Sequence, residues 1–203
     1  MKLQILLLAM LLLGCAQETA QQQNVSVGEN MSKVLVVIAP SGFRDEELFN
    51  TVQVIHSAGF QTVIASTKSG QATGMLGGRA NPDMLVSQAN VKDYAAVVFI
   101  GGQGVETNNL PSNPDVINLA KDANNSGKII GAICIAPRIL ASAGLVKGKR
   151  VTAFNDTDTV SSLKRAGAVF TGNPLEKDGK LITADGPSSA VKFGEEIVRA
   201  LEG

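Results

Sequence analysis

Cys134 is the residue whose setting most invites chemistry. It stands in Gly131-Ala132-Ile133-Cys134-Ile135-Ala136-Pro137, where an aliphatic run of strand length ends and a proline suited to the first turn of a helix follows. A sharp strand-to-helix turn strains the residue at its apex and tolerates only small residues two positions to either side. Ala132 and Ala136 meet that demand much as the glycines of a GxSxG elbow do. A thiol at such an apex points out over the sheet, and the N–H groups that open the helix favour the thiolate. The spacing therefore predicts a thiol pKa below the ordinary value of about 8.5. It equally accommodates a buried cysteine packed as a small hydrophobe between strand and helix, and the residues alone leave both readings standing.

A second group is the acidic triplet Asp45-Glu46-Glu47, which follows an aliphatic run at 34–39 and opens a segment with helical spacing. Carboxylates in a first helical turn are favoured by the helix dipole, by about 0.3–1 kcal/mol each, which by itself accounts for Asp45 and Glu46. The third group is Gly101-Gly102, a tight turn whose accessible N–H groups suit either an oxyanion or a plain chain reversal. It is not a dinucleotide fingerprint, because Thr107 stands where the third glycine would be, and no Gly-Lys-Ser/Thr follows. One histidine and two cysteines without a CxxC pair exclude a multi-histidine or Cys/His zinc site. That histidine, His56, falls near the end of the helical segment begun by the acidic triplet, where an imidazole suits the dipole.

The elements that must position these groups follow from the hydrophobic pattern. The chain has 203 residues, 44% hydrophobic and 18% charged, which fits one packed domain and excludes disorder. Its 18 basic and 18 acidic side chains balance, so no basic face is available for nucleic acid, and the absence of Trp leaves little to stack bases on. Aliphatic runs at 34–39, 61–65, 95–100, 128–133, 150–153 and 181–184 read as strands. Segments at 46–58, 114–126, 137–143, 160–166 and 190–201 read as helices. Strands this apolar are buried on both faces, and their alternation with helices means parallel pairing. The expected fold is a three-layer α/β/α sandwich with a mostly parallel sheet. Ligands collect at the carboxyl ends of such strands, where all three chemical groups fall.

The first residues stand apart. Met1 and Lys2 precede an apolar stretch at 3–13 broken only by Gln4, shorter than the roughly 20 residues a bilayer core needs. Residues 1–14 have the form of a secretory signal peptide. Leu12-Leu13-Gly14-Cys15 resembles the lipobox of bacterial-type lipoproteins, in which the cysteine is acylated and becomes the new N-terminus. The alternative is ordinary cleavage after a small residue, with Cys15 lost or left free. Residues 15–31 would then be the lipidated Cys15 and a flexible polar tether, and 32–203 the folded domain. The expectation is an extracytoplasmic lipoprotein anchored to an envelope membrane through Cys15.

Taken in chain order, several segments resemble signatures of the DJ-1/PfpI (ThiJ) family. Phe43-Arg44-Asp45-Glu46-Glu47-Leu48 resembles its acidic loop, Phe99-Ile100-Gly101-Gly102 its glycine turn, and Ala132-Ile133-Cys134-Ile135-Ala136-Pro137 its nucleophile elbow. Lys177-Asp178-Gly179-Lys180-Leu181-Ile182-Thr183 and Gly186-Pro187-Ser188-Ser189 resemble its closing strand, loop and final helix. Together they cover nearly all of residues 33–203. The resemblance implies a flavodoxin-like fold of the class I glutamine amidotransferase-like kind, a reactive elbow cysteine, and a homodimer or larger homo-oligomer. It implies Cys134 as nucleophile, Glu47 as the carboxyl group hydrogen-bonded to it, and the N–H groups of Gly102 and Ile135 as an oxyanion hole. A Glu47 that faces the thiol from a poorly solvated pocket would have a raised pKa and carry a proton. No cofactor or metal is called for.

The departures from the family narrow the function. Hydrolytic members similar to PfpI carry a histidine directly after the nucleophile, where this chain has Ile135; others carry one after the strand at 150–153, where Phe154 and Asn155 stand. Without an imidazole, a Cys-His peptidase dyad cannot be assembled within one chain. Gly101, Asn155 and Asp156 are candidates for orienting a small-molecule substrate, and Asp158 reads as the N-cap of the helix at 160–166. Two functions remain. One is an enzyme acting on small reactive carbonyl compounds, glyoxalase- or deglycase-like, or on small amides or esters. The other is a redox or stress sensor, chaperone-like, that uses oxidation of Cys134. The lipobox reading predicts that wild-type protein sediments with membranes and that Cys15→Ala protein stays in the soluble fraction; a soluble wild type overturns it.

Overall fold

The computed structural model describes residues 32–203; the signal peptide, the lipidated Cys15 and the tether expected at 1–31 lie outside the described residues. The chain runs β1 (Lys33–Ile38), β2 (Ser41–Phe43), α1 (Asp45–Ser57), β3 (Gln61–Ser66), β4 (Ala72–Gly74), β5 (Arg79–Ala80) and β6 (Met84–Leu85). It continues through β7 (Ala96–Phe99), α2 (Gly104–Thr107), α3 (Pro114–Asn125), β8 (Ile129–Ile133), α4 (Pro137–Ser142) and β9 (Arg150–Val151). It closes with α5 (Thr157–Arg165), β10 (Val169–Phe170), β11 (Leu175–Asp178), β12 (Leu181–Ala184) and α6 (Ala190–Glu202).

Seven strands form the main sheet in the order β11-β12-β8-β7-β1-β3-β6. All neighbours pair in parallel except β11, which runs antiparallel to β12 at one edge. The edge position explains the composition of β11, where Glu176, Lys177 and Asp178 replace the aliphatic run of a central strand and guard the open ladder. In β1 the alternation is plain. Leu35 and Val37 join a core with Leu119 and Ala120 of α3 and Ile139 and Leu140 of α4. Val34, Val36 and Ile38 point the other way, into a core with Leu48 and Ile55 of α1 and Phe193 and Ile197 of α6. The sheet is covered on both faces, and the three layers expected from the hydrophobic pattern are present.

Two small sheets lie outside this frame. β2, β4 and β5 form one, next to the carboxyl end of β1; β9 and β10 form a parallel pair. The expected strand at 150–153 is thus shorter, ends at Val151, and belongs to the small pair. Beyond it Thr152 leaves the ladder, its N–H donating to the Thr183 hydroxyl at 2.9 Å and its own hydroxyl to the Asn173 carbonyl at 2.5 Å. Helix α5 starts at Thr157 because Asp156, not Asp158, is its N-cap: Asp156 Oδ1 accepts the Thr159 N–H at 2.9 Å. Asp158 lies in the first turn and is exposed.

Phe193 fixes how closely α6 sits on β8. Its ring is fully buried and fills the space left by Gly131, where an added Cβ would lie 2.9 Å from the Phe193 ring. Phe193→Ala leaves a cavity beneath the strand that leads to Cys134. It should lower unfolding free energy by about 3–5 kcal/mol in urea denaturation.

Candidate active site

Three strands end side by side at the centre of the sheet, β1, β7 and β8, and the chemistry-bearing residues follow each of them. After β8, Cys134 takes a left-handed conformation with φ +63°, one of two non-glycine residues with positive φ among those described. Such a conformation costs an L-residue about 1–2 kcal/mol and persists where its surroundings hold it. They do so here. The Cys134 N–H donates to the Ala184 carbonyl at 2.9 Å, and its own carbonyl accepts the Phe154 N–H at 2.8 Å. Ala132 and Ala136, both fully buried, leave room for the bend, and α4 departs at Pro137.

After β7, the glycine turn presses against this elbow. A Cβ on Gly101 would come within 2.5 Å of the Cys134 Cβ and 2.7 Å of Glu47 Oε2, so no side chain is tolerated there. Gly101 was a candidate for orienting substrate, yet its backbone is fully engaged. Its N–H donates to Glu47 Oε2 at 3.0 Å, and its carbonyl accepts the Arg44 N–H at 3.0 Å. It orients the carboxyl group instead. The N–H groups of Gly102 and Ile135 both hydrogen-bond the Cys134 sulfur.

After β1, Glu47 enters from the first turn of α1. Helical spacing puts it on the inward face with Leu48, Thr51 and Ile55, and it is fully buried. Its carboxyl group faces the Cys134 side chain, Oε2 takes the Gly101 N–H, and Oε1 is buried without a hydrogen-bond partner. The other two acids of the triplet go elsewhere. Glu46 takes the Arg44 guanidinium through two hydrogen bonds of 2.8 and 3.0 Å. Buried Asp45 accepts the N–H groups of Leu76 and Gly78 at 2.8 and 2.6 Å, and so clamps the 74–78 loop onto the start of α1.

Burial dominates the electrostatics. It raises the Glu47 carboxyl from 4.5 to about 7, against the downward pull of the Cys134 hydrogen bond, the Gly101 N–H and the Arg44 charge. Burial, and then the charge on Glu47, push the Cys134 thiol up to about 12, against the N–H groups of Gly102 and Ile135. This reverses the lowered thiol pKa that the strand-to-helix spacing predicts. Helix α4 has only six residues, and its N-terminal N–H groups are outweighed by lost water and a facing carboxylate.

The sulfur borders a cavity of about 420 Å³ lined by Arg44, Glu47, Met75, Gly102, Gln103, Cys134, Ile135, Phe154, Asp156 and Pro187. Cys134 itself is 8% exposed. Of the remaining sequence candidates, Asp156 reaches this cavity while capping α5. Asn155 is exposed and is not among the lining residues, whereas its neighbours Phe154 and Asp156 are. His56 is exposed, bonded to the Thr62 hydroxyl at 2.7 Å, and takes no part in the lining. No cluster of three metal-liganding side chains occurs among the described residues. Met75, Gln103, Phe154 and Pro187 were not legible as site residues. The nearest signal is a pair of exposed apolar residues, Met75 and Leu76, inside a glycine-rich turn.

An elbow cysteine over a flavodoxin-like sheet, paired with a buried carboxyl group from the first helix, defines a class of α/β protein. Residues 32–200 match the family model described as the DJ-1/PfpI family, and the chain belongs to that family. It is 40% identical over 176 residues to an uncharacterized protein of Methanocaldococcus jannaschii, a match spanning 86% of this chain and 85% of the relative. It is 31% identical over 170 residues to a deglycase of Thermococcus kodakarensis, spanning 83% of this chain and 99% of that one. Among solved structures, a ThiJ/PfpI domain protein from Brachyspira murdochii superposes with a TM-score of 0.81 at 31% identity, covering 85% of this chain and 97% of the other.

The Glu47 pKa carries a sign that can be tested. A carboxyl group raised in the folded state adds stability below its ordinary value and loses it as pH climbs from 4.5 through about 7. Glu47→Gln lacks that titration. Its stability relative to wild type should therefore rise by up to about 3 kcal/mol across this window, read by urea denaturation at several pH values. A constant difference contradicts the raised pKa.

Proposed function

We propose that this protein is a cysteine-dependent enzyme that acts on small reactive carbonyl compounds in a glyoxalase- or deglycase-like manner, or on small amides or esters. The observation that carries the reading is the buried Glu47 carboxyl group hydrogen-bonded to a strained elbow cysteine at the edge of a cavity. The size of that cavity, about 420 Å³, suits a small molecule. The Thermococcus kodakarensis relative, a deglycase by name, supports the substrate class.

In the proposed first step Cys134 Sγ adds to the carbonyl carbon. A C–S bond forms, the carbonyl π pair moves to oxygen, and the thiol proton passes to Glu47. A base titrating near 7 can take that proton at neutral pH and return it to the oxygen, giving a neutral hemithioacetal. The developing charge on oxygen is met by the N–H groups of Gly102 and Ile135. Met75, Ile135, Phe154 and Pro187 supply an apolar wall, and Arg44, Gln103 and Asp156 the polar contacts. His56 is bonded elsewhere, so the scheme uses no imidazole.

The same donors suit an oxygen on an oxidised Cys134 sulfur, which keeps a redox sensor as the second reading. The N-terminal lipid anchor on Cys15, the envelope location and a homo-oligomeric state are parts of the same proposal. Steady consumption of methylglyoxal separates the two readings. Turnover should fall by about 10²–10⁴-fold in Glu47→Gln and at least as far in Cys134→Ala. Wild-type protein that is only modified once per chain, without turnover, overturns the enzyme reading in favour of the sensor.

A further inference from the structure

The 74–78 loop is held more firmly than a surface turn requires. Asp45 accepts the N–H groups of Leu76 and Gly78, Gly74 donates to the Gly78 carbonyl at 2.7 Å, and Met75 donates its N–H to the Phe43 carbonyl at 2.8 Å. The backbone is pinned, yet the Met75 side chain is 43% exposed. Its thioether is not idle: Sδ accepts the Gln103 N–H at 3.3 Å while the side chain borders the Cys134 cavity. Gln103 directly follows Gly102, whose N–H bonds the Cys134 sulfur. The sulfur of one part-exposed residue thus joins the clamped loop to the turn that serves the elbow thiol.

We propose that Met75 is an oxidative modification site, and that its conversion to the sulfoxide by hydrogen peroxide lowers access to Cys134. In that step one S–O bond forms at Sδ, the peroxide O–O bond breaks, the sulfur is oxidised by two electrons, and water leaves. The product is reversible by methionine sulfoxide reductase. The sulfoxide oxygen is a stronger acceptor than the thioether, and it must fit where Sδ and the Gln103 nitrogen already stand at 3.3 Å. The loop cannot retreat, because Asp45 holds it. The glycine turn therefore shifts, and a dipole replaces part of the apolar wall.

The other methionine among the described residues is a built-in comparison. Met84 is half-buried, packed against the core, and its sulfur accepts the Tyr94 hydroxyl at 3.5 Å. In the experiment Cys134 is first protected as a methyl disulfide, the protein is treated with hydrogen peroxide, and the thiol is then released with dithiothreitol. Peptide mass spectrometry follows both methionines, and the iodoacetamide alkylation rate follows Cys134. Met75 should gain one oxygen several times faster than Met84. The alkylation rate should then fall by about twofold or more, recover after methionine sulfoxide reductase, and be insensitive to peroxide in Met75→Leu. Met84 oxidising as fast as Met75 overturns the proposal, as does an unchanged alkylation rate in Met75-oxidised protein. Neither readout uses carbonyl turnover, so failure here is distinguishable from failure of the enzymatic reading.

Discussion

Two acids face each other in this molecule where water scarcely reaches, and a second negative charge there has nothing to spread into. Glu47 is fully buried and Cys134 nearly so; burial resists ionisation of both, the Glu47 charge holds the thiol back further, and the Cys134 hydrogen bond eases ionisation of the carboxyl group. The two titrations are coupled, and with the carboxyl group near 7 and the thiol near 12 the sulfur keeps its proton after the carboxyl group has lost its own. Much of the surrounding structure eases the charge that either group must carry. The Gly101 N–H steadies the carboxyl group from one side, those of Gly102 and Ile135 steady the sulfur from the other, and Arg44 contributes a nearby positive charge.

The arrangement depends on strand ends more than on helices. β1, β7 and β8 are adjacent in the sheet, so their carboxyl ends bring Glu47, Gly101 and Cys134 within contact of one another although they are far apart in sequence. The aliphatic strands behind them are buried on both faces and cannot slip by a residue without exposing a face to water. A covered parallel sheet thus supplies the positional precision that the short helices α2 and α4 could not. The ion pair between Arg138 and Glu106, at 2.7 Å, adds a link between those two helices beside the site.

The layers and most of the elements are legible in the sequence because burial leaves a direct mark on composition. Runs such as Val34 to Ile38 admit no other reading once helices flank them. The limits are equally physical. β11 is charged because it is an edge, and β9 is too short for its own pattern to reveal that it leaves the main sheet. Asp158 reads as the helix cap in the sequence, and the backbone geometry gives that role to Asp156 instead. Glu47 is indistinguishable from Asp45 and Glu46 by type and neighbours; the family resemblance singles it out, and the turn of α1 explains why it faces inward. The thiol pKa is the instructive failure. Donors at a helix start can be read from spacing, whereas enclosure and a facing carboxylate arise only when distant segments meet.

The left-handed backbone at Cys134 has a consequence for how this chain can change. At φ +63° a glycine would sit with less strain than the residue present, so the fold alone gives no reason for a side chain there. A change to glycine at this position would relieve that strain and remove the sulfur. Branched residues are barred by the same bend. The sulfur therefore occupies a place where the backbone would rest more easily with no side chain at all.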